Sequence, residues 1–185
     1  KLETKLGHVA VPLQIPIGVA GDHEGVVDLI RMQALYFDGE HGDDVRLAEI
    51  PAGLKDAADR ARHAMLDTLS LYSDELMEAM LEDRPIDEAL LRRIIREQTI
   101  AREITPVLMG SAFRNKGVQP LLDAVAEYLP SPLDRVTYAT DNANEGAEVA
   151  ISADTDGPVV AMAFKIVDES FGQLTYTRVY QGSIE

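Results

Sequence analysis

Gly110-Ser111-Ala112-Phe113 lies between the apolar run Ile104–Met109 and a helix-forming stretch that opens at Val118. Three small residues between a strand and a helix are commonplace and select no chemistry by themselves. Two segments match Asp-x-x-Gly, Asp22–Gly25 (DHEG) and Asp154–Gly157 (DTDG), a pattern that can hold a magnesium-bound water and a terminal phosphate. The first opens a strand and the second lies in a polar stretch, so both read as turns. Glu75 with Glu78, and Asp43 with Asp44, are carboxylate pairs capable of acid–base work, but acids so spaced on a polar face are ordinarily just solvated. No G-x-x-x-x-G-K-[ST] phosphate loop, no G-x-S-x-G and no H-E-x-x-H occurs. The expectation is therefore no catalytic residue and no metal ligand set in this chain.

Composition narrows the classes further. The 185 residues, 46% of them hydrophobic, suffice for one sizeable core and part of a second domain. Cysteine is absent, which removes disulfides and thiolate chemistry and agrees with a cytosolic setting. His8, His23, His41 and His63 show no ligand spacing. No apolar run approaches the ~18 residues of a membrane span, and the first residues lack the pattern of an export signal. The net charge of −15 disfavours non-specific binding to a phosphate backbone and suits a basic protein partner, or simply solubility.

The elements that must position these residues follow from hydrophobic period. Val9–Ala20, with Pro12 and Pro16 in an apolar run, reads as an extended strand with the prolines at an end or edge. Gly25–Phe37 reads as strand structure, Gly39 to Gly42 as a turn and Val45–Ile50 as the next strand of a small meander. Beyond Pro51 the spacing of Leu54, Ala58, Ala61, Met65, Leu69 and Tyr72 predicts a helix with one buried face. Ser73 reads as the N-cap of a second helix burying Leu76, Met77, Met80 and Leu81, and a third starts near Asp87 and buries Leu90, Leu91, Ile94 and Ile95. Ile104–Met109 fits a fully buried strand, followed by a helix over Val118–Leu129 with Pro120 in its first turn. From Leu133 to Gly157 the polar composition predicts a connection, and Pro158–Val167 with Gln173–Gly182 predicts two strands around a tight turn.

The longer string Gly110–Pro132, GSAFRNKGVQPLLDAVAEYLPSP, resembles the end of the GTP-binding domain of the elongation factor G family of translational GTPases. LGHVAVPLQIPIG, within Lys1–Gly25, is similar to the segment after that family's Asn-Lys-x-Asp motif, and GQLTYTRVY to an early strand of its following β-barrel. The phosphate loop, both switch regions and Asn-Lys-x-Asp have no counterpart here. The resemblance implies an α/β fold, an incomplete P-loop GTPase domain with an inserted α+β subdomain, followed by the first strands of an all-β barrel. It implies residues 1–24 as part of the GTP-binding domain, 25–103 as the inserted subdomain, 104–132 as the last strand, guanine loop and last helix, 133–157 as a linker and 158–185 as the truncated barrel.

For function, the resemblance implies GTP hydrolysis driving tRNA and mRNA movement through the ribosome in the cytoplasm, with GTP, GDP and magnesium as ligands of the intact factor and catalysis absent from this piece. The backbone amides of Ser111, Ala112 and Phe113 would face the guanine carbonyl. The acidic stripe Asp56, Asp59 and Asp67 would dock the large-subunit stalk protein, and Lys165 and Arg178 would offer a local contact to small-subunit ribosomal RNA. Two other readings remain open at this point: a free-standing acidic protein-binding module without nucleotide, and another ribosomal GTPase of the release-factor or ribosomal-protection type.

Overall fold

The computed structural model describes residues 4–5, 7–39 and 41–184, so the expectations reaching Lys1, Glu40 or Glu185 lie outside the described residues at those positions. The chain divides into two compact units, Lys1–Leu129 and Pro130–Glu185. In the first unit, β1 (Val9–Pro12) pairs in parallel with the distant β6 (Ile104–Val107), from Val9 opposite Ile104 to Pro12 opposite Val107. Leu13 donates its N–H to the Val107 carbonyl at 2.9 Å, and the chain then enters a different sheet as β2 (Gln14–Ile17). The expected single strand over Val9–Ala20 is thus two. Pro16 sits on β2, the edge strand of a four-stranded sheet, where a missing N–H costs no ladder bond.

That sheet is antiparallel, with β3 (Gly25–Asp28), β4 (Gln33–Asp38) and β5 (Asp44–Ala48). Gly25–Phe37 is therefore interrupted. Asp28 Oδ1 accepts from the N–H of Ile30 at 2.8 Å and of Arg31 at 3.1 Å, closing a turn in which Met32 takes a left-handed φ of 53°. Successive residues of the sheet serve opposite faces. Val27 and Ala34 enter the main core, whereas Val26, Leu35 and Phe37 form a second cluster against Met109.

Three helices follow, α1 (Lys55–Ser70), α2 (Asp74–Leu81) and α3 (Glu88–Ala101). The Ser73 side chain accepts from the Leu76 N–H and that of Asp87 from the Ala89 N–H, as the N-cap chemistry requires. Ala58, Met65, Leu69, Leu76, Leu91, Ile94 and Ile95 bury as the period predicts and join Val11, Leu13, Val27, Ile104 and Tyr128 in one core. Met77 and Leu81 do not: they are 41% and 80% exposed, because so short a helix buries only a narrow stripe, here Leu76 and Ala79. In β6 only Ile104 is buried and the rest is half-buried, since β1 is its sole strand neighbour among the described residues.

α4 (Val118–Tyr128) packs on α3 through charge as well as apolar contact. The Arg92 guanidinium bonds Glu88 at 2.7 Å, Glu127 and the Tyr128 hydroxyl, and Arg96 Nη1 donates to the Glu127 carbonyl at 2.6 Å. Burial pushes the Tyr128 phenol well above its ordinary pKa despite the nearby Arg92.

In the second unit the expected connection at 133–157 takes another form, a hairpin of β7 (Thr137–Asp141) and β8 (Ala147–Ile151). Its β8 is exposed up to half-buried Ile151, and β7 half-buries Thr137, Ala139 and Asp141 while exposing Tyr138, which explains the thin apolar pattern; the turn is made by Asp141 Oδ1 accepting from the Ala143 N–H at 2.9 Å. The expected strand pair is present as β9 (Val160–Glu169) and β10 (Gly172–Gln181). Gln181 ties the hairpins together, accepting from the Ser152 N–H at 3.1 Å and donating to the Pro158 carbonyl at 3.2 Å.

Candidate functional site

The corner between β6 and α4 is closed by backbone alone. The Ser111 N–H donates to the Lys116 carbonyl at 2.8 Å and the Lys116 N–H returns to the Ser111 carbonyl at 3.1 Å. A Cβ at Gly110 would stand 2.6 Å from the Lys116 carbonyl oxygen, and one at Gly117 2.6 Å from that of Met109, so the two ends of the loop touch only because both are glycine. Gly117, at φ 84°, then caps α4.

Between these ends, Ala112–Arg114 forms one turn of 3-10 helix. Its first two N–H groups, those of Ala112 and Phe113, make no hydrogen bond among the described residues. Of the three expected donors, Ser111 is thus engaged within the loop, and Ala112 and Phe113 are free to meet an acceptor. The Phe113 side chain is fully exposed, at 100%. A recess of about 190 Å³ lies beside the loop, lined by Met109, Gly110, Ser111, Ala112 and Lys116. A larger one of about 600 Å³, between the sheet and α4, holds Arg92 with its acidic partner Glu127.

Four side chains hold the loop from outside. Arg114 Nη1 donates to the Gly21 carbonyl at 2.5 Å, Asn115 Nδ2 to that of His41 at 2.8 Å, Lys116 Nζ to that of His23 at 3.3 Å and Gln119 Nε2 to that of Gly42 at 2.9 Å. The Met109 N–H, just ahead of the loop, donates to buried Gln14 Oε1 at 3.0 Å. Sequence patterns do not single out these residues, because their partners lie 74 to 95 positions away. The one local hint is Asn115, whose left-handed φ of 52° suits asparagine.

Asp56, Asp59 and Asp67 are all exposed on α1, and at 100° per residue they fall within about 80° of one another, away from buried Ala58, Met65 and Leu69. Asp67 approaches His63 Nε2 at 3.7 Å. Lys165 and Arg178 project from the second unit, each over an aromatic ring, Tyr176 at 5.7 Å and Tyr180 at 5.0 Å. Both Asp-x-x-Gly segments form turns: Asp22 ends a 3-10 turn and Asp154 Oδ1 accepts from the Asp156 N–H at 3.0 Å. Among the described residues no group of three or more His, Asp or Glu is placed to hold a metal ion, and no helix is long and apolar enough to cross a membrane.

Comparison with known proteins identifies the loop's context. The chain is 52% identical over 185 residues to elongation factor G of Rhodopirellula baltica, covering 100% of this chain and 26% of that protein. Over its whole length the chain belongs to the elongation factor G family. It is also 49% identical over 182 residues to elongation factor G 1 of Syntrophus aciditrophicus, covering 98% of this chain and 26% of that protein. The mitochondrial elongation factor G-1 of Arabidopsis thaliana is 44% identical over 181 residues, covering 98% of this chain and 24% of that one. The chain thus spans about a quarter of the length of the elongation factor G proteins it matches. The crystal structure of ttk003000868 from Thermus thermophilus superposes with a TM-score of 0.71 at 27% identity, covering 98% of this chain and 24% of that one. The mixed α/β architecture is accordingly that of a solved structure. No family model matches the chain.

Proposed function

We propose that this chain is the part of a ribosomal translocation factor that presents the guanine-facing loop and a stalk-docking helix, in a protein that couples GTP hydrolysis to movement of tRNA and mRNA through the ribosome. The observation that carries the reading is the Gly110–Gly117 loop, which leaves the Ala112 and Phe113 N–H groups without a bond among the described residues, in a chain 52% identical to an elongation factor G. Two free amides at the start of a turn suit an acceptor such as the C6 carbonyl of guanine. The residues here fit the base; the phosphates of GTP or GDP and magnesium would be held by other parts of the factor. The chain alone would then be catalytically silent. Titration with a fluorescent GDP analogue tests this: the full-length factor should bind, and micromolar binding by the chain alone would refute the division of labour.

The stripe Asp56, Asp59 and Asp67 is the proposed docking face for a basic surface of the large-subunit stalk protein. Opposed charges there would speed encounter and lose effect with salt. Changing all three to Lys in the full-length factor should weaken stalk binding and stalk-stimulated turnover; unchanged values would remove this surface from consideration. Lys165 and Arg178 are proposed contacts to small-subunit ribosomal RNA, and ribosome footprinting with both changed to Ala should lose protection at their site. A cytoplasmic location fits these partners.

A further inference from the structure

Ala112, Phe113 and Arg114 are all exposed, so side-chain packing does not fix the turn that presents the free amides. Hydrogen bonds do, and two of them come from one place. Asn115 and Gln119 flank the helix entry and reach the adjacent carbonyls of His41 and Gly42 in the β4–β5 turn, at 2.8 and 2.9 Å. The contact is also steric. A Cβ on Gly42 would lie 2.9 Å from the Asn115 carbonyl oxygen and 3.0 Å from that of Arg114, so the two backbones meet directly.

We propose that the His41–Gly42 turn is a positioning element for base recognition: through Asn115 and Gln119 it sets where the Ala112 and Phe113 N–H groups point, and thereby the preference for a purine with a carbonyl at C6 over one with an amino group there. This rests on the guanine reading of the loop. The selectivity has a simple source. An N–H aimed at a carbonyl bonds, whereas the same N–H aimed at an amino group sets donor against donor and leaves both unpaired. The bond weakens steeply once the amide is displaced or tilted, so discrimination depends on the brace more than overall nucleotide affinity does.

The β4–β5 turn lies more than 70 positions from the loop in sequence, on the four-stranded sheet whose Val26, Leu35 and Phe37 pack against Met109. A shift of that sheet would therefore reach the loop both through this brace and through Met109.

The test uses the full-length factor and compares GDP with 2,6-diaminopurine riboside diphosphate, which keeps the 2-amino group, replaces the C6 carbonyl by an amino group and turns N1 from a donor into an acceptor; the N1 change is common to wild type and variants, so their difference in preference reads the C6 contact. Gly42→Ala pushes on the loop from the far side, and Gly146→Ala is its control, a glycine of similar φ with only Thr140 Cγ2 near, at 3.9 Å. Asn115→Asp keeps the left-handed conformation and removes the donor to His41, so it reads the brace even if Gly42→Ala fails to fold. Both test variants should lose about three- to tenfold of the preference for GDP, the scale of one hydrogen bond, while Gly146→Ala keeps it. Preferences equal to wild type in Gly42→Ala and Asn115→Asp would overturn the inference. A wild-type factor without preference between the two nucleotides would instead sink the guanine reading, and this inference with it.

Discussion

Arg62 and Leu29 are 33 positions apart and joined by a 2.5 Å bond, the Arg62 guanidinium donating from Nη1 to the Leu29 carbonyl and, at 2.7 Å, to that of Ile30. One helix side chain thus satisfies two carbonyls of the turn that interrupts Gly25–Phe37. Burial lowers the Arg62 pKa from its ordinary value, with Asp28 opposing, yet an arginine so placed stays charged. Arg62→Met would keep much of the side-chain bulk and leave both carbonyls without this partner. The expected loss is about 1–3 kcal/mol in urea unfolding, with Arg62→Lys intermediate. A variant as stable as wild type would show that water replaces the guanidinium at no cost.

Leu91 is wholly buried in α3, whereas Leu71, at the end of α1, is 74% exposed. Leu91→Ala opens a cavity among packed helices and sheet, and should cost about 2–5 kcal/mol. Leu71→Ala removes atoms that already face solvent and should stay within about 0.5 kcal/mol of wild type. Urea midpoints at constant slope compare the two directly, and similar values for both would mean that the helices do not share the core described.

Glu88 receives bonds from Arg92 Nε at 2.8 Å and Arg31 Nε at 3.1 Å. Burial alone would raise its pKa, but these two guanidinium groups outweigh it and hold the carboxyl below its ordinary 4.5. A depressed acid contributes stability above its unfolded pKa and loses it as pH falls through the folded value. Glu88→Gln should therefore be less stable than wild type at pH 7, and the gap should close as pH drops from about 4.5 downward. A gap that stays constant over that range would assign the effect to shape rather than charge.

Elements set by local chemistry are legible in the sequence. Ser73 and Asp87 mark helix starts, and the three-and-four spacing of Ala58, Ala61, Met65, Leu69 and Tyr72 marks the face that packs into the core, because caps and periodicity depend on neighbours a few residues away. The break at Leu29–Met32 is hidden, since Leu29 and Ile30 are themselves buried and look like strand; Asp28, a side chain able to close a turn, is its only signal. The hairpin at 137–151 is masked because the half-buried face of β7 carries Thr137, Ala139 and Asp141 while Tyr138 is exposed, so burial alternates along the strand but hydrophobicity does not follow it. At the loop, the resemblance points to the amides, but not to which of them bond within the loop. That depends on the Ser111–Lys116 pairing, and the brace at His41 and Gly42 depends on contacts across more than 70 residues.

Ala112 occupies the first position of its 3-10 turn, preceded by Ser111 in an extended conformation at φ −130° and ψ 98°. Proline is accommodated at such a position, and an extended residue before it avoids the usual clash. Ala112→Pro therefore deletes one free N–H while leaving the turn intact. Stability of the chain should change by no more than about 0.5 kcal/mol, whereas the full-length factor should lose at least about fivefold in GDP affinity, because a guanine carbonyl would face a carbon where a donor stood. Phe113→Ser keeps its backbone N–H and should bind as wild type does if the fully exposed ring plays no part. Equal GDP affinity in Ala112→Pro and wild type would show that this amide does not meet the base, whatever the loop's resemblance to its relatives.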